Sequence, residues 1–190
     1  MNDEEIITRV FVYIDDVVRD LAIDPHPGPQ GELCLSELLT LMVLSPLLKP
    51  GVDLKEFCRW MAANWHGLFP ALVEYSRLTR LFNQAQEFLV VIMQRLSNVK
   101  SFGLVADGTG VPVMHAARGP YAKSFRNARK VKCARVTGGK ERNWIENVIG
   151  VLKTKLGLEK IRVRKMPAFL ARLKAILCAH NLILALDLPI

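Results

Sequence analysis

Cysteine is scarce and scattered. Cys34, Cys58, Cys133 and Cys178 form no CxxC pair. That argues against a disulfide framework or a zinc site and for reduced thiols in an intracellular protein. His26, His66, His115 and His180 are equally dispersed. There is no internal repeat and no low-complexity tract, so neither a solenoid nor a disordered chain is expected. The opening "MNDEEIITRV" is acidic and does not read as a signal peptide. The most apolar stretch, "AFLARLKAILCAHNLILAL", is interrupted by Arg172, Lys174, His180 and Asn181. A buried helix fits it better than a membrane span, and no membrane partner is expected.

Acidic residues are also missing from one region. Residues 1–114 hold 9 Lys/Arg and 14 Asp/Glu, whereas residues 115–174 hold 17 Lys/Arg and 3 Asp/Glu. The net charge of +8 therefore conceals an acidic first part and a strongly basic second part. Such asymmetry points to a polyanion contacting the second part, and the density of arginine favours nucleic acid over an ordinary solvated surface.

The 190 residues are 51% hydrophobic, enough for one sizeable core or two small domains. Residues 1–98 read as four helices expected to fold as a unit. Apolar positions recur at helical spacing over 3–22. Residues 24–32, "DPHPGPQGE", form a loop. Ser36 can cap a helix through "ELLTLMVL", ended by Pro46 or Pro50. Asp53 with Glu56 has the capping-box spacing, and Ser76 can cap a helix over 77–96.

The texture then changes. "FGLVADGTGVPVMH", 102–115, reads as a hairpin or strand–turn–strand, and "VKCARV" as a third strand. A basic loop lies between them. After Gly138-Gly139 a helix is expected over Arg142–Leu156. A basic connector, "EKIRVRKM", follows, and Pro167 suits the first turn of a last helix ending at Leu186. The expected class is α+β and mostly helical.

Within the helix after Gly139, Arg142, Glu146 and Lys153 lie four and then seven residues apart. At about 100° per residue they share one stripe roughly 40° wide. The stripe could be a solvated ion-pair ladder or a metal-and-phosphate face. Asp107 could supply a second carboxylate, although Asp-Gly is also an ordinary hairpin turn. Paired carboxylates are what two Mg²⁺ ions roughly 4 Å apart require, one activating a nucleophile and one steadying a leaving oxygen. Arg142 and Lys153 could then hold phosphates. For Glu146 the rival role is an ion pair with Arg142, worth a few tenths of a kcal/mol.

These residues carry a resemblance. Arg142, Glu146 and Lys153 match the R-(3)-E-(6)-K part of the Y-(2)-R-(3)-E-(6)-K signature of bacterial insertion-sequence DDE transposases. The signature's tyrosine falls at Gly139. "LVADGTGVPV" resembles the family's segment with the first catalytic aspartate. "LSELLTLMVL" and "FPALVEYSRLTRLF" resemble the N-terminal helical region of one branch, and "KMPAFLARLKAILCAHNLILAL" its closing helix. The resemblance runs from about residue 30 to 186. It implies an N-terminal helical domain over 1–98 and, over 99–190, an RNase H-like core. It also implies catalytic and metal-binding roles for Asp107 and Glu146, with Mg²⁺ or Mn²⁺ as cofactor. Double-stranded DNA is the implied partner; the residues expected to hold it, read from the basic excess and the helix stripe, are Lys123, Arg126, Arg129, Lys130, Arg142, Lys153, Arg162, Arg164 and Lys165. A homodimer, or a heterodimer with an intact transposase, and a place in the bacterial cytoplasm at the nucleoid follow from the same resemblance.

One departure matters. The family's second aspartate sits on a strand between the first aspartate and the glutamate. With its neighbours and crossovers of a dozen residues or more each, that part occupies on the order of a hundred residues. Here 38 residues separate Asp107 from Glu146, and the only acid among them is Glu141. Glu141 lies about 140° around the helix from Glu146 and does not share its face. The resemblance is to a transposase whose middle is missing near "VKCARVTGGKER". That implies a core cut to about three strands and two helices, with metal binding weak or vestigial.

Overall fold

A computed structural model describes residues 1–22, 33–96, 139–161, 163 and 165–189, the first seven of helix 139–154 by backbone alone. Six α-helices account for most of these residues: α1 (Asp3–Asp20), α2 (Leu35–Leu48), α3 (Leu54–Asn64), α4 (Tyr75–Leu96), α5 (Gly139–Thr154) and α6 (Met166–Leu186). A single 3₁₀ turn, Leu158–Lys160, follows α5, and no strand occurs among the described residues. The protein is thus mostly helical. The strands expected over 102–115 and 131–136 lie outside the described residues.

Each helix begins for a local reason. Asn2 caps α1, its side chain accepting from the Glu5 N–H at 2.8 Å, and Asp3, Glu4 and Glu5 sit at the positive end of the helix dipole. Asp53 caps α3 as its spacing suggests, accepting from the Glu56 N–H at 2.8 Å. Pro167 lies in the first turn of α6, where its missing N–H costs nothing.

Helix α2 departs from expectation at its start. Its cap is Cys34, whose thiol accepts from the Glu37 N–H while the Glu37 carboxylate accepts from the Cys34 N–H at 2.8 Å. Ser36, expected as the cap, is instead buried in the first turn and donates to Asp15 Oδ1 on α1 at 2.8 Å. Of the two prolines expected to end it, Pro46 lies inside the helix, which runs on to Leu48 and stops just short of Pro50. Tertiary packing holds the last turn despite the lost N–H donor. Two other starts move earlier, α4 to Tyr75 ahead of Ser76, and α5 to Gly139.

The core is built around α2, whose residues from Leu38 to Leu44 are buried without a break. A helix apolar on all sides has to be enclosed, and α1, α4 and α6 all pack on it. The stripe Leu78, Phe82, Ala85, Leu89 and Ile92 gives α4 its buried face. The most extensive helix pairing is α4 with α6. Leu152, Leu156, Leu158 and Ile161 join the same hydrophobic cluster as Ile7, Leu39 and Phe82. The core therefore does not close at residue 98; helices on both sides of that position share it.

A second junction ties the two parts of the sequence. Gly51, φ 78°, and Gly157, φ 73°, meet backbone to backbone. A Cβ on Gly157 would stand 2.6 Å from the Gly51 amide nitrogen, and the Lys160 side chain lies over Gly51.

Candidate nucleic-acid face

The signature stripe lies on a single helix, as its spacing requires: Arg142, Glu146 and Lys153 all fall within α5. Glu146 is exposed. Lys153 is partly buried, and its Nζ lies 3.1 Å from Glu159 Oε1 in the 3₁₀ turn. Glu159 is more than half exposed, so the pair is a surface ion pair of small value. A phosphate at Lys153 would have to displace this carboxylate.

Lys165 is exposed at the N-cap position of α6. Arg162 and Arg164, and Asp107, Lys123, Arg126, Arg129 and Lys130, lie outside the described residues. The distance from Asp107 to Glu146 therefore falls outside them too. Among the described residues no group of three or more His, Cys, Asp or Glu side chains is placed to hold a metal ion.

Three basic residues counted in the second part have structural partners instead of an open face. Lys153 is one. Lys174 Nζ sits 2.6 Å from Glu87 Oε1, joining α6 to α4. Arg172 is the third and was legible only as an interruption in an apolar run. Its guanidinium is partly buried and donates to Ser45 Oγ and, at 3.4 Å, to the Val52 carbonyl. No carboxylate pairs with it among the described residues. Burial pushes it down to about 10, since an enclosed cation loses its hydration. Its acceptors lie at and just beyond the C-terminal end of α2, where the helix dipole is negative. Arg172 thus fastens α6 to α2 and is not available to a polyanion. Lys155, Lys160 and Lys165 remain exposed on the same side of the sequence.

A shallow groove lined by Arg77, Arg80, Leu81 and Gln84 opens along α4. These positions recur at three- to four-residue spacing, a helical-face signal present in the sequence but outweighed by the acidic balance of the first part.

Comparison of the chain with family models, with characterised proteins and with solved structures finds no match.

Proposed function

We propose that the chain is a DDE-type insertion-sequence transposase in internally deleted form, which binds double-stranded DNA and is defective in metal-dependent strand cleavage and transfer. The observation that carries the reading is the Arg142, Glu146, Lys153 spacing, supported by all three falling on one continuous helix. The α+β character and the RNase H-like ancestry of residues 99–190 belong to the same proposal, as does a place at the bacterial nucleoid.

The metal pair does not fit the residues present. Two Mg²⁺ or Mn²⁺ ions need clustered carboxylates to offset their mutual repulsion. The sequence between Asp107 and Glu146 offers only Glu141, on another face of α5. Asp187, the one acid after residue 174, is the C-cap of α6, with φ 50°. Purified protein with either metal is expected to leave supercoiled and element-end DNA intact. Robust cleavage that Asp107→Ala abolishes would overturn the defect.

A second reading is a non-catalytic protein of transposase descent that binds element ends or joins an intact transposase. The basic excess over residues 115–174 favours it, since it serves DNA contact without chemistry. The flanking DNA separates the two. Terminal inverted repeats around the gene mark a deleted element, and an isolated reading frame marks a retained binding role.

A further inference from the structure

The turn that follows α5 is held from both sides. Gly157 turns the chain with φ 73° and rests on the Gly51 backbone. The Lys160 N–H donates to the Gly157 carbonyl at 2.9 Å and closes the 3₁₀ turn. Leu156, Leu158 and Ile161 are buried in the common core on either side of it. Glu159 stands between Leu158 and Ile161 with its side chain 55% exposed. Packing therefore sets its backbone, while its carboxylate reaches the surface and meets the Lys153 ammonium at 3.1 Å. Lys155 and Lys160 are exposed and as close in sequence, yet neither has an ion pair among the described residues. Of the lysines around this turn, the acid sits on the one that belongs to the Arg142, Glu146, Lys153 stripe.

We infer that Glu159 is an autoinhibitory carboxylate, which occupies Lys153 and so weakens the grip of the chain on a duplex phosphate. The inference rests on the DNA-binding reading above and adds to it a residue that opposes binding. A carboxylate and a phosphodiester offer an ammonium the same partner, an anionic oxygen. Glu159 is already in place because its turn is packed, whereas the phosphate arrives from solution. Over residues 115–174 only 3 acids stand against 17 basic residues, and Glu159 is one of the three. Lys153 keeps 32% of its side chain exposed, so its ammonium stays within reach of a larger anion once the carboxylate leaves. The pair lies at the surface, which makes it a bias on binding and not a lock. Because phosphate contacts carry no sequence information, the bias applies to duplex of any sequence.

The test is a double-substitution cycle on the full chain, with a labelled duplex of random sequence titrated at low salt. Glu159→Gln is expected to tighten binding about two- to fivefold, the range that the strength of a surface ion pair allows. It should also steepen the log–log salt slope by about one unit, since one more phosphate is neutralised. Lys153→Gln, which keeps most of the aliphatic stem, should by itself change affinity by about twofold or less. In the Glu159→Gln background it should remove the whole gain, and that non-additivity is the signature of the pair. Asp16→Asn, at an exposed position of α1, controls for net charge and should leave affinity near that of the wild type. A gain from Glu159→Gln no larger than that from Asp16→Asn would overturn the inference, as would a gain that survives Lys153→Gln. So would a Glu159→Gln chain that melts at a lower temperature with its salt slope unmoved, the result of a purely structural pair. Each of these outcomes leaves DNA binding itself standing. If neither the wild type nor Glu159→Gln binds duplex, the DNA-binding reading falls and this inference with it. Binding by Glu159→Gln alone supports both.

Discussion

Gly157 holds a backbone conformation that costs an L-residue roughly 1–2 kcal/mol. It also touches the Gly51 backbone, which has no side chain to move aside. Gly157→Ala is therefore expected to destabilise the chain by about 2 kcal/mol or more, seen as a fall in Tm of roughly 4–8 °C. Gly150 supplies the contrast. It lies inside α5 with open space around its Cβ position, so Gly150→Ala should raise stability by about 0.5–1 kcal/mol. A melt in which both variants shift alike would count against the junction. The buried thiols make a separate prediction. Burial raises Cys58 to about 11 and Cys178 to about 12 from the usual 9.0. Above pH 9 the unfolded thiols ionise while the folded ones keep their protons. Their contribution is therefore full below pH 9 and is lost as pH rises towards 11 and 12. Arg172 works the other way from about pH 10 upward, because its folded value lies below its unfolded one. Denaturant midpoints should fall between pH 8 and 10, and fall less in Cys178→Ala. No difference between wild type and variant would contradict this.

Among the elements, α6 joins two stretches of sequence that read as separate. A fragment of residues 1–98 retains the caps at Asn2, Cys34 and Asp53 but loses the helix that covers α2 and α4. Such a fragment is expected to be helical yet to bind a hydrophobic dye and melt over a broad range, while the full chain melts sharply. A cooperative, dye-silent fragment would show that α6 is dispensable. The sequence was most readable where a signal is local. The Asp53 cap of α3, Pro167 in the first turn of α6, and the apolar spacing of α1 appear as read. It was misleading where tertiary contacts override local preference. Pro46 stays in α2 because the helix is enclosed, and Ser36 gives up capping because its hydroxyl donates a hydrogen bond to Asp15 of α1. Arg172 could not be placed from sequence, since its partners Ser45 and Val52 lie more than a hundred residues away. The candidate site was half legible: spacing puts Arg142, Glu146 and Lys153 on one helix, but nothing in it foretells that Glu159 occupies Lys153.

For the whole molecule, the measurable consequence of the charge asymmetry is salt dependence. Counterion release gives a log–log slope of about −0.9 per neutralised phosphate, so roughly five contacts lose several hundred-fold in affinity over a fourfold rise in salt. Replacing Arg162, Arg164 and Lys165 by alanine should weaken duplex binding alike on any sequence and flatten the slope by up to about three units. Arg172, Lys174 and Lys153 should contribute little, because each is already occupied. A titration of labelled duplex at several salt concentrations, with and without the triple substitution, measures this directly. Absent binding at low salt would leave the basic residues as a solubility device.

The packing of α6 on α4 and α2 also has a consequence in time. The ribosome releases α1–α4 first, and about ninety residues must still be made before Leu186 is added. At 5–20 residues per second that interval lasts roughly five to twenty seconds. Throughout it, the apolar face of α4 stands beside α2 with its covering helix not yet synthesised. During that period the exposed apolar surface is open to wrong contacts that the last helix, once made, removes.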